Sequence, residues 1–246
     1  MNYIKLFNTH AEYEAAQSSL ILPNVSFCKD TPNEVHYNPS SPVPPTPTHD
    51  YVEIGGLKWA TMNVGANSVT DYGLYFQWGD TQGYTAAQVG TDKVFNWANY
   101  KYGGNDSGGQ TKYNETDGNK VLEASDDAVM ANWGGSWRMP TEADFQALSA
   151  ATNNTWTSIT VDNVTVNGRL FTDKTDPSKT LFFPAAGRFA GGSVYSVGSN
   201  GGYWSSSLST NKVANGRMLG FEYGGCYMYN SERYLGRPVR GVIADS

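Results

Sequence analysis

From residue 51 the chain alternates in hydropathy, with Val52, Ile54, Leu57 and Trp59 set against Glu53 and Lys58 and Gly55-Gly56 between them. Period-two alternation interrupted by a glycine pair predicts a strand, a tight turn and a second strand. Tyr72-Gly73-Leu74-Tyr75-Phe76-Gln77-Trp78-Gly79-Asp80 predicts an aromatic strand ended by Gly-Asp, and the polar, Gly-rich residues 101–119 predict a long surface loop. Two segments carry helix signals. Ser125-Asp126-Asp127-Ala128-Val129-Met130-Ala131-Asn132-Trp133 is short, with acidic residues at its positive dipole end. Thr141-Glu142-Ala143-Asp144-Phe145-Gln146-Ala147-Leu148 opens on a threonine three residues before Asp144, the spacing of a capping box. From there to Val242, short strand-like stretches alternate with Gly, Asn and Ser turns. They include Tyr203–Ser207, with a large inward ring, and Val239–Val242, with valines inward and Arg240 held by a partner. The pattern is that of an α+β domain with few helices, short antiparallel strands and long loops.

Upstream the pattern is different. Pro42, Pro44, Pro45 and Pro47 crowd into residues 41–50, which hold the chain near polyproline II as a semi-rigid spacer; a proline-motif ligand is the less favoured reading. Before that linker, Ala11–Gln17 forms a short helix capped by Thr9, and residues 19–27 and 34–37 form strands. A segment of 1–40 cannot bury a core alone. It is expected to attach to something larger, or to copies of itself. The organisation is therefore an N-terminal attachment segment (1–40), a proline-rich linker (41–50) and a domain (51–246).

Composition narrows the function classes. The 246 residues include 17 Lys+Arg against 23 Asp+Glu, a formal charge of −6, and no basic stretch to hold nucleic acid. No run of ~18 apolar residues exists to insert in a membrane, and residues 1–10 lack the apolar stretch of a signal peptide. Aromatic residues make up 13% of the chain and charged residues 16%, which excludes a disordered chain and a helical bundle. Trp59, Trp78, Trp137 and Trp204 are read as core rather than as sugar-stacking platforms. Cys28 and Cys226 are not expected to pair. The histidines are His10, His36 and His49, all before residue 51, so a domain without histidine has no Ser-His-Asp triad and no tight zinc site. Asp126/Asp127 and Glu142/Asp144 sit at helix starts, where capping explains them better than glycoside hydrolysis does. The chain is not expected to be an enzyme.

Four segments occur in order: Gly56-Leu57-Lys58-Trp59-Ala60-Thr61-Met62-Asn63-Val64, Tyr72–Trp78, Trp133-Gly134-Gly135-Ser136-Trp137-Arg138-Met139-Pro140-Thr141, and Phe183-Pro184-Ala185-Ala186-Gly187. Gly202-Tyr203-Trp204-Ser205-Ser206-Ser207 and a closing Gly236-Arg237-Pro238-Val239-Arg240-Gly241-Val242 follow. Together they resemble the Fibrobacter-type major paralogous domain, a branch of the C-type lectin fold related to the formylglycine-generating enzymes and to the variable proteins of diversity-generating retroelements. The resemblance covers 51–246, about four fifths of the chain. Residues 1–40 more loosely resemble structural proteins of gut-bacterial phages. The resemblance implies a ligand-display protein: a phage receptor-binding or virion-surface adhesin, diversified by a retroelement, that meets a host-surface protein or glycan. It also implies contact with other virion proteins through 1–40, and homotrimeric assembly by analogy with phage fibres. The alternative is a structural or decoration protein of a virion or cell surface without a dedicated ligand. The copper-binding cysteine pair of the formylglycine-generating enzymes is not matched, because Cys226 has no cysteine neighbour. The Glu-Pro-Asn and Gln-Pro-Asp motifs of calcium-dependent sugar binding are missing too. No cofactor is called for; a structural calcium ion, if held at all, would lie at Asp117-Gly118-Asn119 or Asp126-Asp127, which turn chemistry explains equally well.

In residues 220–238, four tyrosines mix with Cys, Met, Asn, Glu and Arg. That is the composition of a paratope: rigid amphipathic rings beside small polar groups. In the variable proteins the corresponding segment is the diversified binding surface. Carried over, it makes Glu222, Tyr223, Cys226, Tyr227, Asn230, Glu232, Tyr234 and Arg237 the solvent-facing ligand contacts. Phe221, Tyr229, Arg233, Val239, Arg240 and Val242 become scaffold. Limited proteolysis is expected to cut between Ser40 and Asp50 and leave a folded C-terminal fragment. A fragment 51–246 that fails to fold alone would count against this division.

Overall fold

The computed structural model describes residues 49–244 and, ahead of them, the backbone of three strands: β1 (Ile4–Phe7), β2 (Val25–Cys28) and β3 (Val35–Tyr37). The chain divides into two compact units, Met1–Thr48 and His49–Ser246. In the first, β2 pairs parallel with β1 and antiparallel with β3. The helix expected after Thr9, and the part of the 19–27 strand before Val25, lie outside the described residues.

The second unit is an α+β domain of antiparallel sheets and, among the described residues, two α-helices. It begins with the expected hairpin: β4 (Tyr51–Ile54) turns through Gly55 and Gly56 into β5 (Leu57–Asn63). Both glycines have positive φ, 63° and 78°, as a two-residue turn between right-twisted strands requires. Helix α1 (Ala128–Trp133) starts at Asp127, whose carboxylate accepts the amides of Val129 and Met130. Helix α2 (Glu142–Ala151) starts with the expected capping box between Thr141 and Asp144. Arg138 pairs with Asp144 at 2.6 Å at the same helix start.

Then follow β6 (Thr152–Val161), β7 (Val164–Asp173) and β8 (Thr180–Pro184), which form one sheet. β6 and β7 have ten residues each and are longer than the short strands expected. Asp162 and Asn163, at φ 50° and 64°, make the tight turn that lets them pair along their whole length. β9 (Arg188–Ala190) and β10 (Ser193–Tyr195) form a small hairpin. β11 (Asn200–Leu208), β12 (Asn215–Glu222) and β13 (Gly225–Glu232) form the last meander. β14 (Arg240–Ala244) returns to pair with β5, so the ends of this unit lie side by side.

Three expectations need correction. Residues 72–80 do not form a regular strand; Gly73 and Gly79 turn to positive φ, and only Tyr75 and Phe76 make bridges, to Tyr84 and Arg237. Residues 101–119 are irregular, but they are not simply surface, because Tyr102 and Tyr113 are buried in the aromatic core. Finally, His49 belongs to the folded unit. Its ring stacks on Trp133 at 3.8 Å, and burial lowers its pKa. The domain therefore contains a histidine, packed among tryptophans.

The core contains two large aromatic groups and a smaller one of Tyr75, Phe95 and Phe189. One large group gathers Trp59, Phe145, Phe171, Phe183, Tyr203 and Phe221; the other gathers Trp78, Tyr102, Tyr113, Trp137 and Trp204. Polar ring atoms find backbone partners. Trp78 Nε1 donates to the Ser205 carbonyl at 2.8 Å and Trp204 Nε1 to that of Phe76 at 2.9 Å. Arg240 is wholly buried over the Phe183 ring. Its nitrogens reach Asn63 Oδ1 (2.9 Å) and the carbonyls of Ala60 (2.9 Å), Thr61 (2.8 Å) and Phe182 (3.1 Å). Burial lowers its pKa to about 10, so it remains a cation at neutral pH. Arg240→Met keeps the stem and strands those four acceptors. We expect a loss of about 3–5 kcal/mol and a melting temperature lower by roughly 10 °C, read by calorimetry.

Candidate functional site

β11, β12 and β13 make a sheet with two different faces. Strand periodicity puts Tyr203, Leu219, Phe221, Cys226 and Met228 on one face, against Trp59, Phe145 and Phe183. The opposite face carries Trp204, Met218, Tyr227, Tyr229 and Ser231. At the β12–β13 turn Tyr223 stands 81% exposed, and along β13 Tyr227 and Tyr229 are 62% and 45% exposed. The Tyr227 and Tyr229 rings meet edge to face at 6.2 Å. These rings project from a paired backbone, so they are held in place without being covered.

Beside them is a cavity of about 270 Å³ lined by Arg188, Asn200, Met218, Glu222, Tyr229 and Arg237, among others. Its floor is open because strands β11 and β12 lack side chains there: Gly202 pairs with Gly220. A Cβ on Gly202 would lie 2.0 Å from Nη1 of Arg237. Arg188, in the lining, has its guanidinium 5.6 Å above the ring of Tyr195, which is exposed at the end of β10. Also in the lining, Asn200 Nδ2 donates to Glu222 Oε2 at 3.3 Å.

Of the eight residues expected to face a ligand, Glu222 and Arg237 line this cavity, while Tyr223 and Tyr227 are exposed at the β12–β13 turn and on β13 outside its lining. Arg237 is not solvent-facing, however. It is 7% exposed and lies over Trp204 at 5.5 Å, and its Nε and Nη2 donate to Ser231 Oγ at 3.2 and 2.9 Å. Its backbone is bridged in both directions to Phe76, which draws the side chain inward. Cys226 is half-buried on the core face, because its pairing with Phe221 turns it inward. Tyr229, expected as scaffold, is exposed by the same alternation. Asn230 is exposed, but it accepts from Arg217, which also pairs with Glu142, away from the cavity. Glu232 is half-buried at the far end of β13, and Tyr234 packs on Trp97 at 5.0 Å.

Arg188, Asn200, Met218 and Tyr195 were not anticipated. A lone arginine after Ala185-Ala186-Gly187 carries no sequence signal of this partnership; only the return of β9–β10 beside the meander creates it.

The acidic loops are occupied internally. Asp117 accepts the amides of Tyr113, Asn114 and Asn119. Burial works to raise the Asp126 pKa, but Lys101, Lys112, Tyr102 and Tyr113 outweigh it and hold the carboxyl well below its usual range. Among the described residues no group of three His, Cys, Asp or Glu side chains is placed to hold a metal, and no helix is long and apolar enough to cross a membrane.

Comparison with family models, with curated proteins and with solved structures finds no match to this chain.

Cys226 is a free thiol whose pKa burial pushes up to about 11, with Arg169 opposing. In a Cys28→Ser background we expect iodoacetamide at pH 8 to label native Cys226 about two orders of magnitude more slowly than free cysteine. Labelling at the free-cysteine rate would show that β13 does not hold Cys226 inward.

Proposed function

We propose that this chain is a non-enzymatic ligand-display protein. In this reading 51–246 is a C-type lectin-like domain, 1–40 attaches it to other proteins of a virion or cell surface, and its ligand is a host-surface glycan or protein. The observation that carries the reading is the set of exposed tyrosines, Tyr227 and Tyr229 on β13 and Tyr223 at the β12–β13 turn, on a sheet whose opposite face is fixed in the core. Tyrosine gives a large contact area for two χ angles, so a ring already held by a paired strand loses little entropy on binding. A cavity lies next to that set, and its lining mixes cationic, amide, carboxylate and aromatic groups. Such a mixture suits orienting a ligand, and its one carboxylate, Glu222, accepts from Asn200 and has no second carboxylate beside it in the lining. The carboxylates that a hydrolase would need are taken up elsewhere, Asp127 in capping α1 and Asp126 in its lysine and tyrosine bonds.

The test is a comparison of binding and stability on the same proteins. We expect Tyr223→Ala and Tyr227→Ala each to weaken binding to an array of bacterial surface glycans roughly thirtyfold, with melting temperatures within a few degrees of the parent. Trp204→Ala should unfold the domain instead, since its ring is fully buried and tied to Phe76. Tyrosine variants that bind as well as the parent would leave a covering, ligand-free surface protein as the better reading.

A further inference from the structure

Arg237 and Arg188 line the same cavity, and neither has an acidic partner among the described residues. Arg240 hands every nitrogen to an oxygen, whereas Arg237 gives Nε and Nη2 to one hydroxyl and leaves Nη1 without a hydrogen bond. Arg188 has only the Tyr195 ring. Because Nη1 is not sealed from solvent, an anion that enters the cavity would complete its donors. Burial first, and then the charge of Arg188, lowers the Arg237 pKa to about 9, while Glu232 partly offsets this. The carboxylate in the lining, Glu222, is engaged by Asn200. The cavity therefore holds two cations against one carboxylate, with polar Ser196 and Asn200 and the Tyr229 ring beside them.

We propose that this cavity binds a single acidic sugar residue, its carboxylate completing the donors of Arg237 and Arg188 and its hydroxyls meeting Asn200, Ser196 and Glu222. The proposal rests on the ligand-display reading and gives it a ligand class. The unpaired guanidiniums call for an oxyanion in fork geometry. The adjoining carboxylate and amide suit neighbouring hydroxyls, which both donate and accept. At about 270 Å³ the cavity lies just below the ~300–1,000 Å³ typical of ligand sites, which suits one ring rather than an extended peptide.

The experiment titrates the full chain with glucuronate and galacturonate, with glucose and galactose as neutral counterparts and acetate as a carboxylate without a ring, followed by NMR. Uronic acids are expected to bind at least tenfold more tightly than the hexoses or acetate, and more weakly as sodium chloride is raised. Arg188→Gln, a half-buried rim change, should abolish the preference at an unchanged melting temperature. Arg237→Met should do the same; if that variant melts early, Arg188→Gln alone decides. Equal binding of hexoses and uronic acids overturns the proposal, as does a preference that survives Arg188→Gln. Acetate binding as tightly as the uronic acids would make the cavity a bare oxyanion site and overturn the sugar assignment. An acidic peptide that competes with glucuronate at lower concentration would do likewise. The two readings fail separately. Loss of array binding in Tyr223→Ala with no uronate preference keeps ligand display and removes this site. Uronate binding indifferent to Tyr223 and Tyr227 keeps the cavity and removes the tyrosine set.

Discussion

The second unit depends on how it accommodates buried guanidinium groups. Arg233, Arg237 and Arg240 all leave the C-terminal segment for the interior, and each lies over an aromatic ring: Trp78, Trp204 and Phe183. None has a carboxylate within ion-pair distance among the described residues. Oxygens of the backbone and of neutral side chains take the place of counter-ions, and the rings present their negative faces. This binds distant parts of the chain more specifically than apolar packing would. Each acceptor must be at the right distance, so the segments that supply them are fixed in register. Arg240 ties β5, β8 and β14 together, and Arg233 reaches the carbonyls of Lys112 and Tyr113, anchoring an otherwise irregular loop.

That loop shows what the arrangement does for chain with little regular structure. Tyr113 sits at φ 56°, an uncommon conformation for a tyrosine, and is held there from several directions. Its hydroxyl donates to Asp126 at 2.6 Å, its amide donates to Asp117 at 2.5 Å and its carbonyl accepts from Arg233. A domain with two helices and long connections can in this way keep its aromatic interior ordered.

How far the sequence revealed this depends on the range of the interaction involved. The β4–β5 turn, the Asp127 cap and the Thr141–Asp144 capping box are local devices, and each is legible in a few consecutive residues. The α+β class followed from adding them up. Residues 72–80 were misread because their aromatic content resembles a strand, whereas Gly73 and Gly79 turn the backbone and leave only two bridging positions. The hairpin at 215–232 was legible in composition but not in phase. Choosing Cys226 as outward and Tyr229 as inward set the alternation wrongly for those two residues, because the pairing of Phe221 with Cys226 is a fact of register that no single strand displays. Arg237 was singled out for the site, yet its burial arises from Phe76, 161 positions away by residue number. His49 was set outside the domain because the prolines before it dominate that stretch, and the stacking on Trp133 that draws it in is again long-range.

Range also resolves the apparent conflict between an acidic chain and an anion-seeking cavity. A net charge of −6 acts on an approaching anion across solvent, where screening over about 8 Å at physiological salt weakens it. At contact the balance reverses, because the Arg237 guanidinium is removed from water and its field is weakened far less than that of a surface charge. The long-range term disfavours anions in general and slows their encounter with the protein. The short-range term rewards only an anion that enters the cavity beside Tyr229. A mild overall repulsion joined to a buried, incompletely bonded cation thus favours shape-matched acidic groups over the far more abundant free anions around them, which a basic surface would not do.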